Sequence, residues 1–302
     1  MDTKHSMDAA TDFAGTAAFS VARPKGPCGP VVFSSPHSGR HYPARFLAQS
    51  RLDAITIRRS EDAYVDELFA DVTACSAPLV RAHFPRAYLD VNRDPLELDP
   101  RLFRDPLPAQ AQTRSPRVVG GLGAIPRVVG EGVEIYAGKL PLSEAHARLD
   151  LYHRPYHGEL AALLAQARRA HGIAVLVDCH SMPAAVKTGP DGEKADFVIG
   201  DRFGRAAASG ISDAAIALLR GLGYRVAHNK PYAGGYITDF HGRPARGLHA
   251  LQIEISRGLY LDEARIVPNA GFVGLKADLT RFAADFVAFC LRAYPAGLEA
   301  AE

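Results

Sequence analysis

The stretch Ile173–Ser181, IAVLVDCHS, limits the fold more than any other part of this 302-residue chain. Its apolar residues run without alternation and stop at Asp178, the pattern of a short strand buried on both faces. Such strands belong to parallel sheets covered by helices on either side. The segments GPVVFSS, PLVRAHF, RAYLDVN and ADFVIG read as further strands. GLHALQIEISRGLY alternates, with Leu251, Ile253 and Ile255 on one face and Gln252, Glu254 and Ser256 on the other.

Helical spacing fills the gaps between these strands. Val65, Leu68, Phe69 and Val72 form an apolar stripe in SEDAYVDELFADVTAC, with Ser60 as N-cap and Glu61 and Asp62 in the first turn. The run from 142 to 172 is helical, bent or broken near Pro155. GRAAASGISDAAIALLRGLG is a helix, and a last one spans about Asn269 to Tyr294. Strands alternating with helices predict an α/β fold, a three-layer sandwich with a mixed, mostly parallel sheet. Residues 1–25 show no period and are expected to form a loosely ordered leader, and 26–302 a single domain. From Arg93 to about Pro141 the chain is rich in Pro and Gly, an excursion of a length that usually serves function.

The net charge of +2 gives no reason to expect a nucleic-acid partner, and no apolar run is long enough for a spanning helix. The start lacks the pattern of a secretory signal, so a cytoplasmic protein without a membrane partner, a monomer or small homo-oligomer, is expected. Cys28, Cys75, Cys179 and Cys290 are far apart and unpaired in pattern, which speaks for reduced thiols and against a thiolate metal site.

Several strands end at residues of ligand type: His37 after the first, Asn92 and Arg93 after AYLDV, Asp178 and His180 after IAVLV. In open α/β sheets such ends share an edge where ligands bind. Two imidazoles and a carboxylate with a fourth position open form the catalytic zinc arrangement. Glu254, on the polar face of its strand, is either a solvated residue or ion-pair partner, or a general base beside such a metal. Arg93 and Asn92 suit a substrate carboxylate, with Arg40, Arg154 and Arg257 as further cations. His153 and His157 have the i, i+4 spacing of a zinc pair, but Pro155 lies between them and no H-E-x-x-H glutamate accompanies them, which leaves a substrate contact or a plain amphipathic face as the other readings. Nucleophilic catalysis finds no G-x-S-x-G elbow, and Cys179 and His180, adjacent on an extended segment, point to opposite faces.

Taken in order, SSPHSGRHYP, EDAYVDEL, YLDVNRDP, RPYHGEL, LVDCHSMP, DFVIGD, PYAGGYIT and LHALQIEISRGLY resemble the N-formylglutamate amidohydrolase family over about residues 30–265. That family looks related to the zinc carboxypeptidase and succinylglutamate desuccinylase hydrolases. The resemblance implies a carboxypeptidase-like fold, one zinc ion per chain, and hydrolysis of N-formyl-L-glutamate to formate and L-glutamate, with a place in histidine catabolism. It implies His37 and His180 as ligands, Glu254 as general base, and Asn92 and Arg93, with Arg40, Arg154 and Arg257, around the substrate. Ser38 and Gly39 would let the chain pass close to the ion. The related H-x-x-E pattern fails at Arg40, so the carboxylate ligand comes from elsewhere: Asp62 first, Glu61 second, Asp178 third as ligand or as the partner that orients a histidine. The PYAGGYIT loop, with Gly234 and Gly235, either closes over the ligand or is a plain flexible loop. A deacylase for another N-acyl or N-carbamoyl amino acid, and a non-catalytic binding protein, are the competing readings.

Overall fold

In the computed structural model, residues 17–130, 132–189 and 192–294 are described. Most of the expected leader, residues 1–16, lies outside them; Phe19–Ala22 forms strand β1. The described residues fall into two compact units, one of residues 21–35, 62–81 and those between 159 and 294, the other of residues 17–20, 36–61 and those between 82 and 158.

The first unit is built on a seven-stranded sheet ordered β1-β3-β2-β4-β7-β5-β6. Its members beyond β1 are β2 (Val31–Ser35), β3 (Leu79–Ala82), β4 (Ala174–Met182), β5 (Phe197–Gly200), β6 (Val226–His228) and β7 (Leu248–Ser256). The β2–β3, β2–β4, β4–β7 and β5–β6 pairs are parallel, and β5 runs antiparallel to β7. The sheet is therefore mixed and mostly parallel, as expected from IAVLVDCHS, whose strand β4 is buried along its whole length.

Alternation decides which side chains go where. Val175, Val177 and Cys179 of β4 and Leu251, Ile253 and Ile255 of β7 face one core, beneath helices α2 (Ser209–Gly221) and α4 (Phe272–Ala293). The stripe Val65, Leu68, Phe69 and Val72 joins that core. Asp178, His180, Gln252 and Glu254 point the other way, toward the face that carries the short helix α3 (Tyr236–His241). Among the described residues no helix is long and apolar enough to cross a membrane.

Two expectations need correction. The helix expected from Ser60 onward begins only at Val65, after a 3₁₀ turn Thr56–Ser60, and gives way to a second 3₁₀ turn, Ala70–Cys75. Ser60 caps nothing there, because Glu61 is extended and the Asp62 side chain is engaged elsewhere. RAYLDVN is a chain of turns rather than a strand; the carbonyls of Tyr88, Val91 and Asn92 meet side-chain donors instead of a neighbouring ladder. Near Pro155 the helical run is irregular, in keeping with the sequence, without ending there. An α-helical turn Leu142–Arg148 widens into a π-turn Leu149–His153 and continues as helix α1, Arg154–His171. A π-turn is where a helix absorbs local misfit, here the missing N–H of Pro155.

The second unit contains the excursion 93–141, which is nearly without regular structure and is organised by ion pairs. Asp99 accepts from both Arg101 and Arg127, and the buried Arg148 bonds Glu144 and the Tyr136 hydroxyl while stacking over the Tyr88 ring.

Candidate active site

β4 and β7 are parallel and in register, so His180 sits directly opposite Glu254 and Asp178 opposite Gln252. Neighbouring strands are spaced about 4.8 Å apart, which sets the separation of these pairs before any side chain chooses a rotamer. Both ring nitrogens of His180 face carboxylates: Nε2 donates to Asp178 Oδ2 at 2.7 Å, and Nδ1 lies 3.0 Å from Asp62 Oδ2. Burial alone would lower the His180 pKa; Asp178, Asp62 and Glu254 outweigh it and raise it well above the usual histidine value. An imidazole so surrounded calls for positive charge, either a second proton or a cation on the Nδ1 side.

Asp62 is held on its other oxygen. Ser181 Oγ donates to Oδ1 at 3.0 Å and Arg257 Nη2 at 3.2 Å, while Arg257 Nε reaches Ser181 Oγ at 3.1 Å. Arg257 therefore braces Asp62. Glu61 goes a different way: it accepts the Tyr42 hydroxyl at 2.6 Å and the Arg58 guanidinium at 3.0 Å. Asp178, third in the sequence reading, is bonded by His180 Nε2 and Ser34 Oγ, the arrangement of a carboxylate that orients a histidine.

His37 follows the same plan with a partner that sequence reasoning did not single out. Its Nε2 donates to Asp90 Oδ1 at 2.8 Å. Asp90 also accepts from Arg86 Nε at 3.0 Å and from the Asn92 backbone N–H at 2.9 Å, and Arg93 Nε lies 3.8 Å away. Burial would raise the Asp90 pKa, but Arg93, His37 and Arg86 together hold it well below the usual carboxylate range. Each histidine thus spends Nε2 on a buried carboxylate. The ligand atoms offered by His37, Asp62 and His180 all lie within 4.8 Å of one another, and the three residues are buried.

Glu254 is only 7% exposed, so the solvated reading of this residue does not apply. Gln252 Nε2 donates to Glu254 Oε1 at 2.7 Å, and the Gly235 N–H donates to Gln252 Oε1 at 2.8 Å. The PYAGGYIT loop is thereby pinned to β7. Gly39 serves the turn after His37 in a way not foreseen: a Cβ there would overlap the Phe84 carbonyl, so the close approach is to backbone.

Arg93 is buried, donating through Nε to Leu122 O and through Nη1 to Asn92 O, and burial pulls its pKa down to about 10, still a cation at neutral pH. Arg40 is exposed. The Arg154 side chain is 68% exposed and pairs with Asp150 one turn back. His153 and His157 are buried with their rings tilted at 31° and centroids 4.5 Å apart, and their Nε2 atoms meet the carbonyls of Arg93 and Val91. They hold backbone.

A family model for N-formylglutamate amidohydrolases matches residues 29–261. The chain belongs to the N-formylglutamate amidohydrolase family. A crystal structure of a family member, N-formylglutamate amidohydrolase from Ralstonia eutropha, is 35% identical, with a TM-score of 0.86 over 92% of this chain and 100% of that one. The N-formylglutamate deformylase of Pseudomonas putida is 28% identical over 240 residues, 78% of this chain and 82% of its own length. Its Pseudomonas aeruginosa counterpart is also 28% identical, over 78% of this chain and 83% of its own length.

Proposed function

We propose that this protein hydrolyses N-formyl-L-glutamate to formate and L-glutamate, using a zinc ion held by His37, Asp62 and His180. The observation that carries the reading is the buried His-Asp-His group itself, in a chain of this family. The donor set fits a divalent ion: two imidazoles oriented by carboxylates, one aspartate, and a surplus of buried negative charge around His180. When bound, zinc lowers the pKa of a coordinated water to near 7 and polarises the amide carbonyl.

The chain's own residues supply the rest. Glu254, fixed by Gln252 and opposite His180 across the ladder, takes the proton from the attacking water and returns it to the departing amine. Asp178 and Asp90 keep His180 and His37 in the tautomers that leave Nδ1 to the ion. Arg93, a buried cation next to Asn92, holds a substrate carboxylate, and the exposed Arg40 is assigned to the second one. Arg257 acts through Asp62.

The deciding experiment measures formate release from N-formyl-L-glutamate by the purified protein as isolated, after chelation, and after zinc is added back. Turnover that disappears on chelation and returns with zinc supports the reading. Absence of formate release in a zinc-loaded sample would sink it. N-carbamoyl and N-acetyl glutamate in the same assay separate a deformylase from a deacylase of another acyl group.

A further inference from the structure

We propose that His153 and His157 are positioning residues that set the Asn92–Arg93 segment in its substrate-binding geometry; the inference rests on the role given to Arg93 above. The segment has no ladder and no helix to satisfy its backbone, so each carbonyl needs another donor. Val91 O accepts from His157 Nε2 at 2.8 Å, Asn92 O from the chain's own Arg93 Nη1 at 2.8 Å, and Arg93 O from His153 Nε2 at 2.9 Å. On the amide side, Asn92 N–H donates to Asp90 Oδ1 at 2.9 Å, the oxygen that also takes His37 Nε2. Three consecutive carbonyls are thus fixed entirely by side chains.

Side chains four apart on a helix share one face, and the two rings lie 4.5 Å apart between centroids, so both reach the same short stretch of backbone. His153 is the last residue of the π-turn and His157 lies in the first turn of α1, so the turn decides how their rings line up. Burial lowers the His153 pKa, and the neutral ring serves the carbonyl when its proton is on Nε2. The i, i+4 pair that resembles a zinc site in sequence is in this structure a backbone clamp.

The test compares His153→Phe and His153→Gln, with His157→Phe as a second apolar variant. Glutamine carries an amide donor that reaches as far as Nε2, and phenylalanine does not. In the full-length protein the phenylalanine variants should raise KM for N-formyl-L-glutamate about tenfold with kcat within about twofold, the scale of one hydrogen bond. Zinc content should stay at the wild-type level, and glutamine should restore most of the KM. Hydrogen exchange over residues 88–96 gives a readout that needs no turnover: the Asn92 amide should exchange faster in the phenylalanine variants than in wild type or His153→Gln. Unchanged exchange there, or a glutamine variant no better than phenylalanine, overturns the clamp. Wild-type protein that releases no formate removes the proposed activity instead, and the exchange arm still decides whether the histidines hold the segment.

Discussion

Glu61 and Asp62 are sequence neighbours with opposite fates, and the difference lies in what receives each side chain. Arg58 and Tyr42 claim Glu61, while His180, Ser181 and Arg257 surround Asp62. No spacing rule in EDAYVDEL announces that choice, because both carboxylates precede the helix in non-helical backbone. Asp90 was harder to see: within RAYLDVN it reads as one polar residue of an alternating strand, and only the turn brings it to His37. His180 stands just past the end of an unbroken apolar run and Glu254 on the polar side of an alternating strand, so both stand out in the sequence. Two predictions belong at this scale. Glu254→Gln keeps the shape and the bond partner Gln252 while removing the proposed base, so kcat should fall by about 10²–10⁴ with metal content unchanged in elemental analysis. Asp178→Asn should weaken zinc binding by about 10- to 100-fold, measured by competition with a chelator, because His180 loses the carboxylate that orients it. A variant that holds zinc as tightly as wild type would remove Asp178 from that role.

Among the elements, those with strong periodicity were read well and those held by side chains were not. β4, β7 and α4 carry long apolar patterns, and their places in the core follow from them. β6 has three residues, too few for a pattern, and the excursion 93–141 takes its order from partners distant in sequence: Arg127 on Asp99, Arg101 on Val119 O, and Arg148 on Tyr88 O and the Tyr136 hydroxyl. The turn after His37 is an element of this second kind. Gly39→Ala would push a methyl group into the Phe84 carbonyl, displacing the backbone two residues from His37. The expected result is a loss of about 2 kcal/mol in urea unfolding together with reduced zinc content. An alanine variant with wild-type stability and metal content would show that the turn yields freely.

At the scale of the whole molecule, two histidines outside the ligand group should govern acid stability. Burial lowers the pKa of both His241 and His249 to about 4, and His249 Nδ1 accepts the Ala208 N–H, a bond that protonation breaks. The unfolded chain binds these protons near pH 6.5 and the folded chain only near 4. Stability is therefore full above about pH 6.5 and lost as pH falls through that window, by on the order of 2 kcal/mol per histidine at pH 5. His249→Asn keeps an acceptor for Ala208 but cannot be protonated. It should shrink the stability difference between pH 7 and pH 5 by about 1–2 kcal/mol in urea melts, and an unchanged difference would exclude His249 as a source.

The register of β4 against β7 also constrains how the gene can change. One residue inserted or deleted within either strand turns every later side chain to the opposite face, which would send His180 or Glu254 into the core that now holds Cys179 and Ile253. Length variation in descendants of this sequence should therefore be absent from 174–182 and 248–256. It should accumulate in the irregular stretch 93–141, where an added residue lengthens a loop without reversing a ladder.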